Sequence, residues 1–258
     1  MKIHSKIPIV VCACLLIAAI GGLAQDLSGT ETNRPGLKKR QIFSGSLTVR
    51  GRNGSSEVPV TIHTFSVWGS HRITDLQPLN AGFAILECTG GKAVTTFQSL
   101  TNRSQSGDFV LVAGRSNPVF QSAKEATSFE AVVLGGPFAE SEAGGISGVS
   151  AHRARKSYAP MRGGLLEREA MPAQQVGDYK VAVRQLLVGP GQKTAPFGIP
   201  GASLLEVTSG GGELRIGSRT RSIKGGDVLT VIDGEELEVT NRRQDLGLCF
   251  RVVNVSLQ

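Results

Sequence analysis

From Ile42 onward the chain is a succession of short β-rich runs. SLTV, VPVTIHTFSVW, FAILECT, AVTTF, DFVLV and SFEAVVL follow one another, with Gly, Asn-Gly and Ser clusters between them. Branched and aromatic residues grouped between turn residues predict the strands of a sandwich or barrel. The pattern resumes at Tyr179 with KVAVRQLLV, SLLEVT, ELRI, DVLTV, LEVT and LCFRVVNV. Between the two series, residues 135–177 hold Gly-Gly pairs, prolines and the basic run HRARK, and read as a linker with room for a short helix over Leu165–Ala170. That length is unusual for a plain connection and points to local structure or function. No other stretch carries a helical period.

The second series restates the first. Gly82, Leu86, Glu87, Thr89, Gly91, Ser99, Thr101, Gly107, Asp108 and Val112 recur 119 positions later as Gly201, Leu205, Glu206, Thr208, Gly210, Ser218, Thr220, Gly226, Asp227 and Val231. A fixed offset without a gap defines two tandem units. Their boundaries fall at 42–134 and 178–258, each unit large enough for its own core. The fold class is all-β.

The N-terminal segment 1–24 has two lysines, an apolar run from Ile7 to Ile20 and a small-residue ending, the parts of a secretory signal peptide. Its rival is a retained anchor helix. With cleavage the protein is secreted or periplasmic and keeps no membrane span. Residues 25–41, polar and ending in Lys38-Lys39-Arg40, read as a mobile arm. The net charge of +7 is spread along the chain, and Trp68 is the only tryptophan. Nucleic-acid binding wants a basic face with stacking aromatics, so it is not expected.

Residues Gly191 to Asn241 resemble the cupins, small double-sheet jelly-roll barrels. On the spacing of the two cupin motifs, Gly191 and Gly210 bound the first, and Gly226, Gly234 and Asn241 match the second. The histidine and glutamate positions hold Phe197, Ile199, Ser203 and Leu237. Subtracting 119 places Arg72, Pro78, Asn80 and Ala84 on the first motif of the earlier repeat, and Ala113, Arg115, Pro118 and Ser122 on its second. The resemblance implies two tandem cupin-like barrels joined by a long linker, a bicupin.

Cupin enzymes commonly hold a divalent metal on three histidines and a glutamate. Phe, Ile, Ser and Leu offer no adequate lone pair, and the second repeat contains no histidine. No metal, no cofactor and no catalytic residue are therefore expected there. Strand alternation turns Ser203, Leu205, Val207, Leu237 and Val239 inward with Phe197 and Ile199, and Leu86 and Cys88 into the first barrel. Such a lining is either filled core or a dry pocket for an apolar or sugar-like ligand. Glu87 and Glu206 then face outward, which argues for a surface or inter-domain role.

His63, Trp68, His71, Arg72 and Asp75 form the one polar–aromatic cluster, at the rim of the first barrel. Cys88 and Cys249 lie in strands of different barrels and are expected as free thiols. The reading that follows is a secreted or periplasmic bicupin-like module, non-catalytic, binding a small molecule or serving structure. The alternatives are a metal-independent isomerase or epimerase using the rim residues, or a metal site moved to His63 and His71. Cupins pair through strand edges, which implies a homodimer.

Overall fold

The computed structural model describes residues 31–51, 54–72, 82–113, 118–122, 125–135, 148–154 and 157–257. The signal segment lies outside them. Among the described residues no helix is long and apolar enough to cross a membrane.

The first unit comprises β1 (Glu31–Arg34), β2 (Leu37–Gly51), β3 (Gly54–Val67), β4 (Ser70–Arg72), β5 (Gly82–Gly90) and β6 (Lys92–Phe97). It continues through β7 (Leu100–Gln105), β8 (Asp108–Ala113), β9 (Val119–Ser122), β10 (Thr127–Gly135) and β11 (Gly148–Arg153). The second comprises β12 (Ala159–Pro160), β13 (Leu165–Val176), β14 (Tyr179–Val188), β15 (Phe197–Gly198) and β16 (Ala202–Ser209). It ends with β17 (Gly211–Ile216), β18 (Arg219–Lys224), β19 (Val228–Val231), β20 (Glu236–Asn241) and β21 (Leu248–Leu257).

Each unit is a jelly roll of one large and one small antiparallel sheet. In the first, β1-β2-β3-β10-β5-β8-β11 faces β4-β9-β6-β7; in the second, β12-β13-β14-β21-β16-β19 faces β15-β20-β17-β18. The double-sheet, all-β architecture expected from the sequence is the one observed.

Three expectations need correction. Residues 31–41 are not a loose arm: β1 and the start of β2 form a hairpin, and Leu37 is buried in the first barrel. The backbone groups of Lys38–Arg40 pair with β3, and such ladder bonds hold the run although the side chains of Lys38 and Arg40 are exposed. No helix forms over Leu165–Ala170. That run is the start of β13, ladder-paired to β14, with only a 3₁₀ turn at Arg162–Gly164 before it. Within 135–177, moreover, β11 extends the first large sheet and β12–β13 extend the second.

Hydrophobic side chains gather in three clusters, one inside each barrel and a third between them. On β10, Phe129, Ala131 and Val133 enter the first barrel, whereas Val132 and Leu134 pack outward. On β21, Phe250 and Val252 enter the second barrel, whereas Val253 and Val255 pack outward. The outward residues of both large sheets join into one apolar layer. This is why runs such as SFEAVVL and LCFRVVNV lack polar alternation: both faces are buried.

The repeated residues have repeated jobs. Gly91 and Gly210 both have positive φ, and a Cβ at either would lie 2.7 Å from a backbone carbonyl, of Ala126 and Gly247 respectively. Asp108 Oδ2 accepts the Gln105 N–H at 3.0 Å, and Asp227 Oδ2 accepts that of Lys224 at 2.9 Å, closing the same turn twice. Asn241 donates through Nδ2 to the carbonyls of Val188, Gly189 and Leu246, fastening β20 to two neighbouring loops. The motif glycines and asparagine are therefore structural.

Candidate functional site

The second barrel is the clearest test of a cupin site. Phe197 on β15 lies opposite Leu237 on β20 in the ladder, so two of the four ligand positions face each other. Ile199, Leu205, Val207, Leu237 and Val239 are buried in one cluster, and Phe197 packs against it. Ser203 is fully buried, and its Oγ accepts a hydrogen bond from Asn254 Nδ2 at 2.8 Å. The lining predicted by alternation is thus assembled in one place.

At its mouth a cavity of about 20 Å³ opens between Phe197, Ile199, Leu165, Leu186, Val252 and Met161. Ligand pockets for small organic molecules run to several hundred Å³. This one admits little more than a water. The Arg184–Glu167 ion pair, 2.9 Å, stands at the same mouth. A metal does not fit the donor set: two aliphatics, one aromatic and one hydroxyl already engaged by an amide supply no ligand sphere. Among the described residues no group of three His, Cys, Asp or Glu side chains is placed to hold a metal ion.

In the first barrel Leu86 and Cys88 are fully buried in the interior cluster. Burial pushes the Cys88 thiol up to about 11, and its S–H points to the Gly90 carbonyl at 3.6 Å. Cys88 and Cys249 are both free. An inert thiol is the consequence at Cys88.

Among the described rim residues, His63 and His71 have separate partners. His63 is 3% exposed on β3, ladder-paired with Ala131, and shares the interior face with Phe65 and Val67. Desolvation first, and Lys39 second, lowers its pKa to about 4, so the ring is neutral. Its Nε2 meets Thr61 Oγ1 at 3.1 Å. Trp68 is exposed, and its backbone N–H donates to the Gly36 carbonyl at 2.7 Å. His71 Nε2 lies 3.1 Å from the Trp68 carbonyl. The β1–β2 turn at Gly36 therefore closes against Trp68 and His71. Arg72 belongs to β4, its side chain lies outside the described residues, and so does Asp75.

The densest chemistry lies between the barrels, where the sequence indicated only that Glu87 and Glu206 face outward. Across the first large sheet, ladder partners run Arg40, Thr64, Glu130, Glu87, Phe109, His152. Across the second they run Arg168, Gln185, Arg251, Glu206, Val228. The rows meet at Arg251, whose guanidinium is 3% exposed. It contacts Glu87 at 2.7 Å and also Glu130 and Glu206, so one cation joins carboxylates of both barrels. Gln185 Nε2 approaches Glu87 Oε1 at 3.5 Å, and Arg168 Nε donates to Gln185 Oε1 while its guanidinium lies 5.0 Å from the Tyr158 ring centroid. Burial, then the Glu87 charge, raises the Glu206 pKa to about 7. Burial lowers that of Arg251.

No protein-family model matches the sequence, and no curated protein matches it either. Solved structures do. Oxalate decarboxylase of Bacillus subtilis, a protein with Mn(II) centres, superposes with a TM-score of 0.63 at 12% identity, covering 90% of this chain and 76% of that one. The glyoxylate-induced protein assigned in Pseudomonas aeruginosa gives 0.60 at 10% identity, covering 87% and 82%. The chain has the bicupin fold.

Proposed function

We propose that this protein is a bicupin whose second barrel works without a metal, as a non-catalytic binding or structural module outside the cytoplasm. The observation that carries the reading is the exchange of all four ligand positions for Phe197, Ile199, Ser203 and Leu237, packed against one another or hydrogen-bonded within the protein. The 20 Å³ mouth favours a structural role for this barrel over the enclosure of an organic ligand. Export rests on the N-terminal segment alone. The rim reading has no comparable support: His63 is buried and His71 is turned to a backbone carbonyl.

Elemental analysis of the purified protein, followed by a thermal-shift screen of metals, sugars and apolar acids, tests this. Well under one equivalent of transition metal, and no shift with manganese, iron or zinc, is the expected result. Binding only to the folded state raises the melting temperature by mass action. One tightly held equivalent would overturn the metal-free reading. Turnover of a stabilising sugar, abolished by His71→Ala, would replace it with the isomerase reading.

A further inference from the structure

The cluster around Arg251 is out of charge balance. One buried guanidinium faces Glu87, Glu130 and Glu206, so full ionisation leaves two negative charges uncompensated inside the inter-barrel layer. Among the described residues the surrounding groups do not supply the deficit. Phe109 and Val228 flank the carboxylates along the rows, and Thr64 and Gln185 are neutral. Arg168 is spent on Gln185 and Tyr158, one strand further out. Arg40 is exposed at the end of its row. His152, at the other end, pairs with Ser150 Oγ at 2.9 Å and is kept neutral by burial. Cys249, two residues before Arg251, is a half-buried free thiol. Arg251 Nε itself is buried with no hydrogen-bond partner, so the fork is not saturated by the carboxylates it touches.

Uncompensated charge in a packed, low-dielectric layer is costly, and a carboxylate there takes up a proton instead. We propose that the inter-barrel cluster is a proton-binding latch, in which one proton held at Glu206, the most buried of the three carboxyls around Arg251, fastens the two barrels and its release loosens them. A protonated carboxyl leaves a single excess charge spread over the remaining pair. Loss of the proton puts a second charge into the apolar layer formed by Val132, Leu134, Val253 and Val255. The latch therefore strengthens toward acid and weakens as the medium becomes neutral to alkaline. The upward displacement of Glu206 agrees with this direction.

The test is thermal unfolding of the full chain between about pH 5 and 8.5, comparing the natural protein with Glu87→Gln, Glu130→Gln and Glu206→Gln. His63 and His152, both displaced downward, add a limb of opposite sign below and around their ordinary value of 6.5, and that limb is common to all four proteins. Relative to the variants, the natural protein should lose melting temperature as pH rises toward about 7. Each glutamine variant brings the carboxylates nearer to balance with the guanidinium, so its melting temperature should gain on that of the natural protein as pH rises and be the higher at pH 8.5. Infrared difference spectra supply a readout independent of folding: a protonated-carboxyl band that titrates near neutrality and is lost or displaced in Glu206→Gln. A natural profile that runs parallel to those of all three variants, or the absence of such a band, overturns the proposal.

Discussion

Arg251 stands in the second barrel where Glu130 stands in the first. Both pair in the ladder with the glutamate shared by the two repeats, Glu130 with Glu87 and Arg251 with Glu206. The large sheets meet face to face, so an unbroken repeat would place four carboxylates together. Arginine at one of those four places converts repulsion into a bridge between barrels. Removing one partner of a buried ion pair costs about 3–5 kcal/mol, because the others are left buried and unpaired. Arg251→Met should lose stability in that range at pH 7.5 by denaturant titration. The loss should shrink toward acid, where a protonated Glu206 leaves less charge unpaired.

Much of this was legible before any coordinates. The offset of 119 residues, the shared turn Asp108/Asp227 and the inward face of Ser203, Leu205 and Val207 all follow from sequence spacing. Alternation also turned Glu87 and Glu206 away from the barrels. It could not reveal that they meet, because Arg251 and Glu130 sit 121 residues apart, outside the gapless repeat. The β1–β2 hairpin was hidden for another reason. Its pairing is made by backbone groups, and a strand carrying Lys38, Lys39 and Arg40 shows no apolar signal beyond Leu37.

That hairpin has its own test at Gly36. The backbone there has φ of 76°, and a Cβ would lie 2.6 Å from the Trp68 carbonyl and 2.9 Å from His71 Nε2. Gly36→Ala should therefore cost more than about 1 kcal/mol, since neither the φ nor the space suits a side chain. Trp68 is the only tryptophan in the chain. Its emission should change with the variant, reporting a displaced turn, and unchanged emission and stability would show the hairpin to be undocked.

His63 sets the acid side of the stability profile. Its pKa in the folded protein is about 4, against an ordinary value of 6.5. A buried neutral histidine stabilises fully above the unfolded value and loses that contribution as pH falls toward the folded one. The unfolded chain binds the proton first, so the His63 contribution should drop between pH 6.5 and 4, by as much as about 3 kcal/mol. This limb runs opposite in sign to that of Glu206. His63→Gln, compared with the natural protein by urea unfolding at several pH values, should flatten it.

The last prediction separates three neighbours on β20. Leu237 is fully buried opposite Phe197, so Leu237→Ala should cost about 2–5 kcal/mol, the range for a core leucine. Leu237→His should also destabilise and gain no metal, because Phe197, Ile199 and Ser203 offer no ligands and a buried imidazole lacks a partner. Glu236 is exposed, and its alanine variant should be close to neutral. Glu238 is different. It holds Lys193 at 2.8 Å and Arg215 at 3.0 Å, and hydrogen bonds from Arg215, then Lys193, lower its pKa to about 2. Glu238→Ala should therefore lower the denaturation midpoint more than Glu236→Ala, and the difference should narrow in high salt as the ion pairs are screened. A carboxylate with a depressed folded pKa stabilises above its unfolded value and loses that as pH falls through the folded one. The Glu238 effect should accordingly fade between about pH 4.5 and 2. Equal, small losses at 236, 237 and 238 in denaturant melts would mean that Leu237 does not face the barrel, and the argument from the lost ligand positions would fall with it.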